Sequence, residues 1–450
     1  MKISRIIILS FITAICYGCS TEESVISPVE PPVNNASDNV YFTHNQWIYS
    51  QMNQHYLWRE DLPDSLSCNY DQSPDKFYKS ILSDKDRFSY MFTNPNYDPN
   101  TRSGIGFSYQ TYRDNKNNTA SLVLYVSNRQ VSASGIRRGD WLNIISLDNS
   151  TLTYSKVTVS DGFFIYDDNV HRMSLPTTPE NTVLLDSIYA NSIGYLCYTD
   201  FDDIADLVPV ITKFKEHNIT DLILDLRYNP GGYVKTCKYL TNCIAPEQAY
   251  GDIFQITKYN DRISLKNISK TGSADLYNYY GFPVSDPDKV IKGENPIIPL
   301  NLSRLYVLTS SHSASASEAT MVCLKPYMEV IQIGETTVGK GVGSYSISDN
   351  KYKYALQPIT MQYYNKNEET TPNTGLVPDY YIADGYITSK KEIGDIEEPL
   401  LKAALELILG GSISPDKVAP SHNNIENSLT PVGEPSYLIE FKNKHYNENF

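Results

Sequence analysis

Residues 311–340 constrain the fold more than any other stretch of this sequence. They follow an apolar run at residues 305–308, which is typical of a buried strand. Apolar residues at helical spacing then continue over residues 316–328, although Pro326 disfavours the last turn of that helix. The pattern therefore predicts that Ser315 lies where a buried strand turns into a helix.

The predicted position of Ser315 favours chemistry at its hydroxyl group. A serine hydroxyl is a poor nucleophile until a neighbouring group takes its proton. The first turn of a helix offers unpaired backbone N–H groups and a partial positive charge, which stabilise an oxyanion. Lys340, between Gly339 and Gly341, is a candidate base, since a lysine can take that role when burial lowers its pKa well below about 10.4. The structural alternative is a helix cap, because Ser315 and Glu318 also form an S-x-x-E capping box.

Two further blocks agree with this interpretation. Residues 221–232, DLILDLRYNPGG, combine a strand with a glycine turn, and residues 86–91 read DRFSYM. With SASASE and GETTVGKG, these blocks resemble the C-terminal processing (tail-specific) protease family, whose members are serine proteases with a Ser–Lys dyad. The resemblance covers roughly residues 40–410. It implies a mixed α/β core of the ClpP/crotonase type, with a small N-terminal helical region and an inserted PDZ-like β domain.

The resemblance also implies a role for each matching residue. The nucleophile falls on Ser315 and the general base on Lys340. The oxyanion hole falls on the N–H of Gly232, with Gly231 beside it, and on the N–H of Ala316. Two such donors, aimed at a developing oxyanion, are each worth about 3 kcal/mol.

A third catalytic group is less well defined by the resemblance. Some relatives carry a glutamine four residues after the lysine, where this chain has Ser344. Others use an acid three residues after the nucleophile, which is Glu318 here and is therefore the candidate. His312 offers a Ser–His alternative, but no recognisable motif surrounds it.

Gly104, Ile105, Gly106 and Phe107 form a GIGF stretch that opens a predicted PDZ-like domain. Residues 134–145, SGIRRGDWLNII, resemble a second PDZ block. A PDZ domain holds a peptide carboxylate with the backbone N–H groups of such a loop and adds the peptide as a strand. The GIGF stretch is thus the predicted peptide-binding site, and the alternative is a domain kept only for packing.

The N-terminus has the pattern of a lipoprotein leader. Two basic residues precede an apolar run that ends at Gly18 and Cys19, too short to span a bilayer. We expect a signal peptide at residues 1–18, a lipid on Cys19, and an anchored flexible tether over residues 19–39. This predicts a lipid-anchored protein in the envelope of a Gram-negative bacterium, at the outer membrane; an ordinary secretory signal is the alternative.

Composition narrows the possible partners. The net charge of −14 disfavours nucleic-acid binding, and the cysteines and histidines show no metal-ligand spacing. We therefore expect polypeptide substrates, no cofactor, no metal, and membrane contact through the lipid alone. The remaining predicted regions are a helical region at residues 40–100, the PDZ-like domain at 101–176, the peptidase core at 177–411 with an aperiodic insertion at 245–301, and a tail at 412–450.

Two rival functions remain open from the sequence. The first is a non-catalytic peptide-binding surface lipoprotein on the same fold, and the second is a hydrolase of small esters. The presence of both Ser315 and Lys340 favours an active enzyme over the first. The predicted PDZ-like domain favours polypeptides over small esters as substrates.

Overall fold

The computed structural model of the 450-residue chain describes residues 40–92, 104–148, 150–177, 181–283, 296–349, 351, 354–413 and 428–438. The predicted signal peptide, the lipid site at Cys19 and the tether lie outside these residues. No helix in the described part of the chain combines the length and the apolar character that crossing a bilayer requires.

The helices of the described residues are α1 (Tyr41–His55), α2 (Pro74–Ser80), α3 (Arg129–Ala133), α4 (Ile204–Glu216), α5 (Val234–Ile244), α6 (Asp261–Thr271), α7 (Ala316–Leu324) and α8 (Pro399–Ile408). The strands are β1 (Tyr90–Phe92), β2 (Phe107–Arg113), β3 (Thr119–Val126), β4 (Trp141–Leu147), β5 (Thr151–Ser160), β6 (Phe163–Ser174), β7 (Val183–Tyr189), β8 (Ile193–Tyr198), β9 (Asp221–Asp225), β10 (Ile253–Tyr259), β11 (Leu276–Tyr279), β12 (Arg304–Thr309), β13 (Glu329–Gly334), β14 (Val342–Ser344), β15 (Ile347–Asp349), β16 (Tyr354–Gln357), β17 (Ile359–Tyr364), β18 (Tyr380–Tyr381) and β19 (Thr430–Val432).

The centre of the molecule is a six-stranded sheet in the order β18-β13-β12-β9-β8-β7. All neighbouring strands in it are parallel except the edge strand β7, which is antiparallel to β8. Successive side chains of β9 alternate between the faces: Leu222 and Leu224 pack with α4, α5 and α7, whereas Ile223 packs with α8. Helices thus cover both faces, which confirms the predicted mixed α/β core.

Two β-α junctions of this sheet meet at one edge. Strand β12 ends at Thr309 and α7 begins at Ala316, while β9 ends at Asp225 and α5 begins at Val234. Because β9 and β12 are parallel neighbours, their carboxyl ends lie side by side. The loop after β9 and the loop before α7 therefore come together, and Ser315 lies at the predicted strand-to-helix turn.

A second six-stranded sheet, in the order β19-β2-β3-β4-β5-β6, occupies the region predicted to be PDZ-like. Its neighbouring strands are all antiparallel, and the five-residue helix α3 lies between β3 and β4. The residues after 411 had no interpretation from sequence. The structure shows that one of their segments, β19, belongs to this sheet and pairs with β2.

The insertion at residues 245–301 holds regular structure that its sequence does not reveal. Strands β10 and β11 and helix α6 lie there, and β10 pairs with β17 of the core. The helix has no buried residue, and its ends are fixed by the Asn260 cap and by Gly272 in the left-handed region. Strand β17, the partner of β10, follows β16 in the chain, and Pro358 separates the two strands.

Candidate active site

Ser315 and Lys340 line one cavity of about 280 Å³ at the meeting point of the two loops. Gly232 and Ala316 line the same cavity. Ser315 and Lys340 are both half-buried, so each side chain is sheltered but still accessible from the cavity. The structure therefore brings together four of the residues that the sequence indicated for catalysis.

The backbone of Ser315 adopts a conformation that non-glycine residues rarely occupy. Its φ of 56° and ψ of −111° place it in the left-handed half of conformational space, immediately before the first residue of α7. Such residues cost about 1–3 kcal/mol and cluster at functional sites. Gly231 allows this turn to approach closely, since a Cβ at Gly231 would lie 2.7 Å from the Cβ of Ser315.

Two backbone N–H groups in the cavity are available for an oxyanion. Neither the N–H of Gly232 nor that of Ala316 donates a hydrogen bond to any described residue. The N–H of Gly231, by contrast, donates to Asn229 Oδ1 at 2.9 Å. Of the two glycines indicated by the sequence, Gly232 therefore has the available donor, while Gly231 provides room beside Ser315.

Glu318 joins the segment of Ser315 to the segment of Lys340. Its fully buried carboxylate accepts four hydrogen bonds. Oε2 accepts the backbone N–H groups of Ser315 and Lys340, each at 2.8 Å. Oε1 accepts the N–H of Gly339 at 2.7 Å and the hydroxyl of Thr337 at 2.5 Å. These four contacts hold the backbone around Ser315 and Lys340, and the catalytic role of Glu318 stays a prediction.

The N-terminal region supplies part of the wall around Lys340. Arg87 donates to the carbonyl oxygens of Val338, at 3.2 Å, and of Asn373. The ring of the next residue, Phe88, has its centroid 5.6 Å from Lys340 Nζ, within cation–π range. The DRFSYM block thus supports the segment of Lys340, which explains why a motif so distant in sequence accompanies the site.

Two glutamines that the sequence analysis did not single out also line the cavity. Gln357 of β16 donates from Nε2 to Ser344 Oγ at 3.0 Å, so an amide does reach the Ser344 position, from a different strand. Gln255 of β10 is buried, and neither of its amide atoms has a hydrogen-bond partner among the described residues. No sequence signal marked either residue, because pairing between distant strands brings them to the cavity.

Other groups of the site are poor substitutes for Ser315 and Lys340. Among the described residues that line the cavity, Lys340 is the only lysine, and none is an arginine, histidine, aspartate or glutamate. Burial raises the pKa of the Cys237 thiol to about 12 and that of Tyr345 to about 12, so both stay protonated at neutral pH. His312 does not line the cavity, and its ring lies 6.2 Å from that of Tyr437. The Ser–His alternative therefore has no support in this geometry.

Two family models match the chain. The model of peptidase family S41 matches residues 192–382, which include Ser315 and Lys340. The model of the peptidase S41 N-terminal domain matches residues 43–90, which include Arg87 and Phe88. Together the two matches span over half of the chain, and they contain Ser315, Lys340 and the two N-terminal residues that contact the Lys340 segment.

Individual relatives agree with these matches. The carboxyl-terminal-processing protease of Synechocystis is 23% identical over 244 residues, 53% of this chain and 49% of that protein. Carboxyl-terminal-processing peptidase 3 of Arabidopsis thaliana is 27% identical over 198 residues, 44% of this chain and 33% of that protein. The chain thus matches half or less of the length of these relatives.

A solved structure extends the likeness to the fold. A crystallised Bacteroides fragilis protein assigned to the S41 proteases superimposes with a TM-score of 0.67 and 25% identity. The superposition covers 81% of this chain and 97% of that one. With both family models and this superposition in agreement, the chain belongs to peptidase family S41.

Proposed function

We propose that this chain is a serine endopeptidase in which Ser315 is the nucleophile and Lys340 the general base. The observation that carries the proposal is that one carboxylate, that of Glu318, binds the backbone of both residues. Both line one cavity, and a single oxygen of Glu318 holds both of their backbone N–H groups. A displacement of about 1 Å between reacting groups can lower the rate about 100-fold, so a shared hydrogen-bond partner that fixes their separation favours catalysis.

In the proposed reaction, the neutral amine of Lys340 takes the hydroxyl proton as Ser315 Oγ attacks the scissile carbonyl carbon. The carbonyl oxygen becomes an oxyanion and accepts hydrogen bonds from the N–H groups of Gly232 and Ala316. The tetrahedral intermediate then breaks its C–N bond, and Lys340 returns the proton to the leaving amine. Water hydrolyses the remaining ester on Ser315 by the same sequence of proton transfers.

The proposed substrates are polypeptides selected by their free carboxyl terminus at Gly104, Ile105, Gly106 and Phe107. The names of the Synechocystis and Arabidopsis relatives refer to carboxyl-terminal processing. In this chain, Gly106 has a φ of 79° and Phe107 begins β2. Backbone N–H groups in such a turn provide a carboxylate site without a charged side chain.

The decisive experiment uses purified protein lacking residues 1–19 and an unfolded protein as substrate. We expect fragments from the unaltered sequence and none from Ser315→Ala. Equal fragment yield from both would exclude Ser315 as the nucleophile. No cleavage by either, with normal binding of the substrate, would favour the rival function of a non-catalytic peptide-binding lipoprotein.

Two further assays test the finer parts of the proposal. Cleavage of one substrate with a free or an amidated carboxyl terminus tests terminus selection, and equal rates over a range of concentrations would exclude it. Detergent phase partitioning of the full chain and of Cys19→Ala tests the proposed lipid anchor in the Gram-negative envelope. Full-length protein found wholly in the aqueous phase would contradict that anchor.

A further inference from the structure

One edge of β2, the strand that begins at the end of the GIGF stretch, pairs with β3, and the other pairs with a segment near the end of the same chain. Strand β19 is antiparallel to β2, with Thr430 opposite Arg113 and Val432 opposite Thr111. Strand β3 pairs along the other edge of β2. A strand has only two edges for backbone hydrogen bonding, so β19 takes the edge where another polypeptide would add.

The chain continues from β19 along β2 towards the GIGF stretch. The Gln110 amide donates to the carbonyl oxygens of Val432 at 3.2 Å and Gly433 at 3.3 Å. Further along, Ser436 Oγ accepts the backbone N–H of Tyr109 at 3.0 Å. Residues 430–432 therefore pair antiparallel with β2, and the contacts of Gly433 and Ser436 lie progressively nearer to residues 104–107. That direction is the one in which a peptide adds to a strand and presents its terminal carboxylate to such a loop.

Tyr437 anchors this segment between the β domain and the core. Its side chain is buried, and its ring centroid lies 6.1 Å from that of Tyr125 on β3 and 5.7 Å from that of Tyr228 in the loop after β9. His312, in the loop that leads to Ser315, lies 6.2 Å away on the same measure. The segment thus contacts both the sheet that contains β2 and the loop that leads to the proposed nucleophile, Ser315.

We propose that residues 428–438 are an internal ligand of the β2 edge, occupying the place of a substrate's carboxyl-terminal strand. The proposal rests on the proposed selection of polypeptides at residues 104–107. Substrate and internal ligand exclude each other, because both need the same backbone groups of β2. The paired strand is only three residues long and contains Pro431, so it is the easier partner of β2 to displace.

The test measures binding of a fluorescent peptide with the sequence of residues 428–438 and a free carboxyl end. Protein carrying Ser315→Ala is used throughout, so that cleavage cannot affect the measurement. Tyr437→Ala should bind the peptide at least tenfold more tightly than the parent, because its own segment has lost its buried anchor. Tyr279→Ala, which removes a half-exposed tyrosine from β11, is the matched control and should bind like the parent.

A second variant protects the test against misfolding. A chain that ends at residue 427 should also bind the peptide at least tenfold more tightly, and its thermal unfolding should remain cooperative. Equal affinity in the parent, Tyr437→Ala and the shortened chain would overturn the inference. Tighter binding by both variants, without any cleavage when Ser315 is restored, would support the internal ligand and contradict the proposed peptidase.

Discussion

Glu318 and Arg227 are both fully buried acidic or basic residues close to the carboxyl edge of the central sheet, but different kinds of partner surround them. Glu318 receives neutral donors, which are three backbone N–H groups and the Thr337 hydroxyl. Arg227 instead forms salt bridges with Asp225, Asp384 and Glu398.

The two arrangements hold different parts of the molecule. The donors to Glu318 lie in two loops that form one cavity, so this carboxylate fixes local geometry around Ser315. The partners of Arg227 lie at the end of β9, after β18 and before α8. Asp384 also binds Arg138 of the β domain, at 2.7 Å. Glu318 therefore holds two neighbouring loops in place around the cavity, whereas Arg227 joins segments that are far apart in the sequence.

The largest expected effect comes from removing the side chain of Lys340, the proposed base, while its backbone contact to Glu318 remains. Lys340→Ala should lower turnover by several orders of magnitude with only a small change in the thermal midpoint, because the hydrogen bond to Glu318 comes from the backbone N–H of residue 340 and survives the substitution. Lys340→Arg should not restore activity, since a guanidinium group does not lose its proton in proteins. Steady-state kinetics beside thermal unfolding provides the measurement. Turnover within tenfold of the parent in either variant would remove Lys340 from the mechanism.

The next effect concerns stability and the salt bridges of Arg227. Arg227→Met leaves Asp225 and Glu398 buried without their cation, and should lower the free energy of unfolding by about 3–5 kcal/mol. Arg304→Met is the matched control, because Arg304 pairs with Asp221 on the same sheet but has 36% of its side chain exposed. Urea unfolding should show a much smaller loss for the control. Equal losses would contradict the contrast between buried and exposed pairs.

A smaller effect tests the positioning role of Glu318. Glu318→Gln keeps the shape but turns one acceptor into a donor that faces other donors, costing about 1–3 kcal/mol of stability. We expect kcat to fall about 10- to 100-fold with little change in KM or in the pH of half-maximal activity. Glu335→Gln, which alters an acceptor for the Ser311 N–H, is the control. A pH profile displaced by Glu318→Gln would indicate a direct catalytic role instead.

The smallest effect appears in the pH dependence of stability. Burial alone would raise the pKa of Asp384 and Glu398, but neighbouring cations, Arg138 and Arg227 foremost, hold both below their ordinary values. Carboxyls with lowered folded pKa values stabilise the fold above their unfolded values, about 3.9 and 4.3, and this contribution is lost as the pH falls through the folded values. Asp384→Asn should therefore be less stable than the parent at pH 7. Urea unfolding should show that the difference in free energy of unfolding between the parent and Asp384→Asn narrows below about pH 4. A difference independent of pH would contradict the linkage.

Local patterns were sufficient to predict much of the core. The apolar runs of β9 and β12, the glycines after β9 and the serines before α7 are each encoded within a few residues. The capping pattern likewise indicated that Glu318 would meet the backbone of Ser315, as it does. The further contacts of Glu318 with Gly339 and Lys340 depend on how a second loop folds back, which residue spacing alone does not reveal.

Long-range pairing explains what the sequence did not predict. Gln255 reaches the cavity because β10 pairs with β17, and β19 joins β2 across most of the chain length. The partners of Arg227 lie more than 150 residues away in two of three cases. No periodicity of 2 or 3.6 residues encodes such contacts, since they depend on which elements the completed fold places side by side.

The contact between Arg87 and the Val338 carbonyl also has a consequence for biosynthesis. The two residues are 251 positions apart, and Thr337 beside Val338 further accepts the N–H of Leu376. Synthesis proceeds from the N-terminus, and contacts of such long sequence separation form late and slowly. The surroundings of Lys340 are therefore incomplete until residue 376 has left the ribosome. We expect the nascent chain to remain inert as a peptidase until nearly all of its family-matched region has been made.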